Sequence, residues 1–261
     1  MSRLPLFDTH AHLDTEEFDA DRDELIAQIG KSMLGFIDPG CDIPSCEAAV
    51  ALAHKYPFVF AAVGLHPEDI GHCQFSDLKR VEEMTKDPRV VAIGEIGLDY
   101  YNDEASPHDL QKKYLCAQFD LARRTGLPVI IHDRDAHEDM LDFVKSEGKG
   151  VSGVMHCYSG DWDMAKELLD LGWYFGFGGT STFKHDHGVR DILTKMPMDR
   201  ILFETDSPYM APVPYRGKRN CPLYVEKVAE LAASLKNVSS LEMMQNATKN
   251  SKNLFFKLKI D

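Results

Sequence analysis

The chain is 261 residues long, and no stretch of it approaches 18 consecutive apolar residues, so a membrane-spanning helix is not expected. Its first residues offer one arginine and a short apolar run that reaches Asp8, too little for a signal peptide, and a cytoplasmic location with no membrane partner is expected. Cysteine is sparse. The six residues Cys41, Cys46, Cys73, Cys116, Cys157 and Cys221 show no Cys-x-x-Cys spacing, which argues against both a zinc knuckle and a disulfide framework. Basic charge is also short, with 29 Lys and Arg against 42 Asp and Glu, a net charge of −13. Such a surface does not coat nucleic acid by neutralising phosphates along its length. An anionic substrate would have to be held locally, where a bound divalent cation adds charge that residue counting omits. The Gly-x-Gly-x-x-Gly fingerprint and the Walker loop are missing too, which weakens the case for an open nucleotide-binding sheet. No linker or low-complexity segment interrupts the chain, so residues 1–261 are read as one domain.

What is present is a repeating pattern. Short β-rich runs at residues 4–9, 35–39, 59–64, 90–94, 128–132, 153–156, 173–176 and 200–204 alternate with amphipathic segments. The helical patterns cover residues 21–32, 43–55, 75–85, 108–125, 136–146, 161–171 and 189–196. Ser106 and Pro107 read as the start of the fourth helix, and Gly126 and Gly172 as stops. Two further helices, 222–235 and 239–254, follow the last strand. Eight βα units in about 260 residues predict a single-domain (β/α)8 TIM barrel with C-terminal capping helices.

A barrel of this kind builds its site at the C-terminal ends of its strands, and metal-ligating residue types fall there. His10 and His12 follow the first strand, His66 the third and Glu95 the fourth; His132 ends the fifth, His156 the sixth, and Asp206 follows the eighth. Setting His66 aside, four imidazoles and two carboxylates are too many for one tetrahedral ion but suit two divalent ions about 3.5–4 Å apart. In that arrangement Glu95 bridges, His10 and His12 complete one ion, and His132 with His156 the other. Asp206 binds metal and takes a proton from the attacking water. The mixture of imidazole and carboxylate favours zinc-like transition ions over a magnesium site made mostly of oxygen.

The segments Asp8-Thr9-His10-Ala11-His12, Gly64-Leu65-His66-Pro67, Gly94-Glu95-Ile96-Gly97-Leu98-Asp99, His132-Asp133-Arg134-Asp135-Ala136, His156-Cys157-Tyr158-Ser159-Gly160 and Glu204-Thr205-Asp206-Ser207-Pro208-Tyr209 occur in that order. Together they resemble the TatD family of metal-dependent deoxyribonucleases across nearly the whole chain. The resemblance implies a two-metal centre (zinc, manganese or magnesium) on His10, His12, Glu95, His132, His156 and Asp206, with Asp206 and Glu95 in catalytic roles. It also implies hydrolysis of DNA phosphodiesters, often from the 3′ end of single strands.

Around these positions, His66 is a candidate to orient a phosphate or water, and Glu204 to hold a ligand imidazole in its tautomer. Asp99 and Arg134 lie just beyond ligand positions and are candidates for substrate contact or for surface salt bridges. Arg216, Lys218 and Arg219 form a basic cluster in the loop after the eighth strand, suited to phosphate. Tyr100, Tyr101, Tyr158, Trp162 and Phe183 are candidates for stacking on bases. Cys157 points away from the ligand face and reads as packing. The rival functions are a D-aminoacyl-tRNA deacylase or small-molecule amidohydrolase using the same centre, and a non-catalytic metal-stabilised scaffold. Oligomeric state is left open.

Overall fold

Strands covered by helices on one side and by a barrel interior on the other are buried on both faces, which explains their near-continuous apolar runs. In the computed structural model, which describes residues 3–101, 106–185 and 188–260, eight such strands form: β1 (Leu4–Asp8), β2 (Met33–Pro39), β3 (Val59–Val63), β4 (Val90–Asp99), β5 (Val129–Arg134), β6 (Gly153–Met155), β7 (Tyr174–Phe177) and β8 (Ile201–Phe203). They make one sheet in sequence order with every neighbouring pair parallel. The seam between first and last is joined just beyond the strands. Thr9 N donates to Phe203 O at 3.0 Å, Asp206 N to His10 O at 2.9 Å, and His12 N to Ser207 O at 2.8 Å. This is the (β/α)8 barrel.

Among the described residues seven α-helices connect successive strands: α1 (Arg22–Ser32), α2 (Ile43–Lys55), α3 (Leu78–Met84), α4 (His108–Thr125), α5 (His137–Glu147), α6 (Trp162–Asp170) and α7 (Val189–Lys195); α8 (Val225–Lys236) and α9 (Ser240–Leu254) follow β8. Local chemistry sets their ends. Asp42 and Ser45 form a reciprocal capping box at α2, Asp161 caps α6 and Ser239 caps α9, while Gly126 ends α4 at φ 70°. Ser106 does not cap α4. Pro107 takes that position, and the buried Ser106 hydroxyl meets no partner among the described residues. Among the described residues no helix is long and apolar enough to cross a membrane.

Alternation along the strands divides the core in two. Outward residues such as Val59, Ala61, Ile131, Met155, Phe175 and Phe203 pack against the helices. Inward residues, among them Phe7, Phe60, Ala92, Ile130, Val154 and Leu202, fill the barrel, and Phe255, Leu258 and Ile260 after α9 pack onto that layer. Two residues further along the same inward rows, the side chains turn polar: Ile130 is succeeded by His132, Val154 by His156 and Leu202 by Glu204. The apolar layer is the floor of the site.

Candidate metal centre

Glu95 reaches the interior through an irregularity. The run expected to stop at Gly94 continues to Asp99, and its pairing with β5 slips between Ile93 and Ile96. Simple alternation from outward-facing Ile93 would send Glu95 to the helices. The extra residue resets the phase, so that Ile96 and Leu98 face outward and Glu95, Gly97 and Asp99 inward. Gly97 allows the close approach this needs: at φ 157°, a Cβ there would lie 1.8 Å from His132 O.

Each Glu95 oxygen then faces a different group of imidazoles. Oε2 lies 3.1 Å from His10 Nε2 and 3.6 Å from His12 Nε2. Oε1 lies 3.0 Å from His132 Nδ1, 3.6 Å from His66 Nε2 and 3.9 Å from His156 Nε2. Asp206, held at φ 54°, points Oδ1 to within 3.8 Å of His10, 3.6 Å of His12 and 3.8 Å of His156. That left-handed backbone is sterically unfavourable for a residue with a Cβ, and such conformations concentrate at functional sites. His10 and His12 also turn their Nε2 atoms toward one another at 3.0 Å. Imidazole nitrogens and carboxylate oxygens converging on shared space form the donor set of a divalent cation, so the residues present fit metal.

Neighbours fix the direction of four of the rings. His12 donates Nδ1–H to Pro39 O at 3.0 Å, leaving Nε2 for the centre. His132 Nε2 bonds Asp99 Oδ2 at 2.9 Å, which leaves Nδ1 facing Glu95. Asp99 is buried and orients an imidazole; it is not a surface or substrate-facing acid. Glu204 Oε1 sits 3.0 Å from His156 Nδ1 and accepts the Cys157 N–H. His66 accepts Glu68 N–H at Nδ1, so its Nε2–H is the edge turned inward. Three orienting groups were not legible in the sequence: the Pro39 carbonyl, Gly176, whose missing side chain opens the slot occupied by Glu204, and Asp8. Asp8 accepts from His10 N, Thr205 N and Thr205 Oγ1 at 3.1, 3.0 and 2.6 Å, tying the two segments that carry His10 and Asp206.

Burial and charge oppose one another throughout the site. Burial favours the neutral acid at Glu95, but His10, His66 and His156 hold it well below the ordinary carboxylate range. Asp206 is likewise kept charged against burial, by His12, His156 and His10. Burial also works against protonating His156 and His132, yet Glu204 and Glu95 push His156 up to about 10, and hydrogen bonds to Asp99 and Glu95 push His132 up to about 9. His12 is raised too, by Asp206 and Glu95, in spite of its burial. Burial and the adjacent His156 lower His10, whose ring stacks on His156 at 3.6 Å. Burial, with a smaller push from the Glu204 carboxylate, lifts Asp8 to about 8, over the pull of its three donors. Burial also raises the Cys157 thiol far above its usual range, which excludes a ready nucleophile there.

The basic cluster after β8 does not act as one unit. Arg219 is spent on the loop before α1, with Asp21 at 2.6 and 2.8 Å and Glu17 O at 2.7 Å, while Lys218 stays exposed. Arg216 lies over the Phe183 ring at 3.8 Å, and Arg134 over Tyr101 at the same distance. Other aromatic candidates are occupied: Tyr158 donates to Asp161 O, Tyr100 donates to Asp139 and stacks on His108, and Trp162 packs on the core.

The geometry has relatives. The model of the TatD related DNase family matches residues 7–256. The chain belongs to the TatD family. It is 42% identical over 252 residues to a Bacillus subtilis protein named as the uncharacterized metal-dependent hydrolase YabD, covering 96% of this chain and 98% of that one. It is 35% identical to the Escherichia coli protein named as the uncharacterized metal-dependent hydrolase YcfH, over 96% of this chain and 95% of that one. The crystal structure of the TatD homologue YjjV from Escherichia coli superposes with a TM-score of 0.90 at 30% identity, covering 97% of this chain and 98% of that one. TatD membership places the protein among the metal-dependent hydrolases.

Proposed function

We propose that the protein is a deoxyribonuclease, dependent on two divalent ions, that removes nucleotides from the 3′ end of single-stranded DNA in the cytoplasm. The observation that carries this reading is the two-sided Glu95 carboxylate, with His10 and His12 on Oε2 and His132, His66 and His156 on Oε1. Those residues and Asp206 would hold the ions, for which zinc, manganese and magnesium are the candidates. When bound, the ions supply Lewis-acid polarisation of the phosphodiester and an acidified water. The remaining chemistry belongs to the side chains. Asp206 is ionised at neutral pH and accepts the proton of the attacking water at a carboxylate oxygen. His66 presents Nε2–H, from which a non-bridging phosphate oxygen accepts a hydrogen bond. Pro39 O, Asp99 and Glu204 keep three rings turned so that none needs to reorient during the reaction.

The test uses 3′-labelled single-stranded DNA with Mg²⁺, Mn²⁺ or Zn²⁺. Shortening is expected that stops in EDTA and is lost in Asp206→Asn and Glu95→Gln. Intact DNA under every metal, with cleavage of a D-aminoacyl-tRNA ester instead, would show that the same centre acts on a carbonyl.

A further inference from the structure

The chain has eleven arginines, and nine of them place the guanidinium on a carboxylate or a backbone carbonyl. Arg134 and Arg216 are the exceptions: among the described residues neither guanidinium has a hydrogen bond or an ion pair. In a chain with 42 acidic residues this is unexpected for exposed cations. Both lie over an aromatic ring, Arg134 over Tyr101 and Arg216 over Phe183, each with Cζ 3.8 Å from the ring centroid.

Their places in the barrel are related. Arg134 ends β5, two residues beyond His132 on the same row, and Tyr101 follows β4. Tyr101 N donates to Asp99 Oδ1 at 2.9 Å, and Asp99 Oδ2 bonds His132, so this pair is coupled to the centre by hydrogen bonds. Phe183 and Arg216 stand in the loops after β7 and β8. Arg190 donates to Phe183 O at 2.7 Å, and Val213 N donates to Thr182 Oγ1 at 2.9 Å, which joins the two loops. The pairs therefore sit on separate sectors of the same rim, with the strand ends that carry the imidazoles between them.

We infer that Arg134–Tyr101 and Arg216–Phe183 are two seats for successive parts of one single-stranded polynucleotide crossing the mouth of the barrel. This rests on the phosphodiesterase reading above and names what extends beyond the scissile bond. A guanidinium already parked on a ring loses little freedom on binding and leaves its N–H edge available to grip a phosphate. A base can stack on the same planar surface. Two such seats on different sectors suit a polymer, because a small substrate lodged at the centre has no need of both. They also reconcile a polyanionic substrate with a net charge of −13.

The experiment compares KM and kcat of the metal-loaded enzyme on a ten-nucleotide oligo-dT and on the dinucleotide, for wild type, Arg134→Met, Arg216→Met and the two Lys variants. Each Met variant is expected to raise KM for the ten-nucleotide strand about tenfold with a much smaller change in kcat, and to penalise the dinucleotide less. The salt dependence of log KM should become shallower by roughly 0.7 per lost phosphate contact. Lys variants should keep the salt dependence and recover part of the loss. An equal penalty on both lengths, or a loss confined to kcat, would place the arginines at the reacting centre and overturn the inference. Wild-type strand shortening that the Met variants reproduce at both lengths would overturn the seats while leaving the nuclease reading intact. A wild type that cleaves neither substrate would overturn both.

Discussion

Gly176→Ala adds one carbon atom, and its consequence can be worked out atom by atom. The new Cβ would lie 2.3 Å from Glu204 Oε2 and 2.7 Å from Oε1. Real contacts of this kind essentially never fall below 3.0 Å, so the carboxylate must retreat by at least 3.0 − 2.3 = 0.7 Å. Glu204 is 1% exposed and has little room for that movement. Overpacking of this size costs about 1–3 kcal/mol, or roughly 2–5 °C in melting temperature for a chain of this length. The displaced carboxylate also releases His156 Nδ1, now 3.0 Å away, and loss of such an orienting partner typically lowers metal affinity about 10–100-fold. The assay is isothermal titration of the metal-free protein with Zn²⁺ or Mn²⁺, beside thermal denaturation. Glu204→Ala removes the obstacle, so in the double variant Gly176→Ala should add little further loss of affinity. Independent, additive losses would refute the argument, as would an unchanged metal affinity in Gly176→Ala.

Metal binding should be linked to protons. His156 and His132 are raised to about 10 and about 9 in the metal-free chain, whereas a metal takes the neutral imidazole, so loading near pH 7 should release protons and tighten as pH rises toward 9. Calorimetry in buffers of different ionisation enthalpy measures that release, and a heat independent of buffer would contradict it. For the metal-free protein the sign is the opposite. Folded values above the ordinary 6.5 stabilise the fold fully below about pH 6.5, and that contribution disappears as pH rises through 9 to 10, seen as a falling melting temperature. Arg219→Met breaks a pair with Asp21 whose side chains are 35% and 42% exposed, so the loss in stability should stay within about 1 kcal/mol in denaturant titration. Its KM for oligo-dT should stay within about twofold of wild type, unlike that of Arg134→Met; a tenfold rise would return Arg219 to the substrate path.

Period-two alternation made the barrel legible in the sequence, and position at strand ends the convergence of His10, His12, Glu95, His132, His156 and Asp206. The same alternation would have misplaced Glu95, since a bulge in β4 leaves no mark in residue type and changes which face every later residue takes. Pro39, Gly176 and Asp8 were invisible because their roles come from neighbours remote in sequence: a carbonyl has no side chain to read, and a glycine matters only for what occupies its space. The run Arg216-Gly217-Lys218-Arg219 invites a single interpretation by composition. Its members part company because Asp21, 198 residues from Arg219, captures one of them. Ser106 has the usual chemistry of a cap, but the fixed backbone angle of Pro107 takes that place at the start of α4.

The central claim is that Glu95 joins two metal positions, one completed by His10 and His12 and the other by His132 and His156. Elemental analysis of the purified protein after dialysis against a fixed metal counts the ions directly. Two per chain are predicted for wild type and one for the His10→Ala/His12→Ala double variant, with circular dichroism showing the barrel still folded. Two ions retained by the double variant, or a single ion in wild type, would contradict that division of the site.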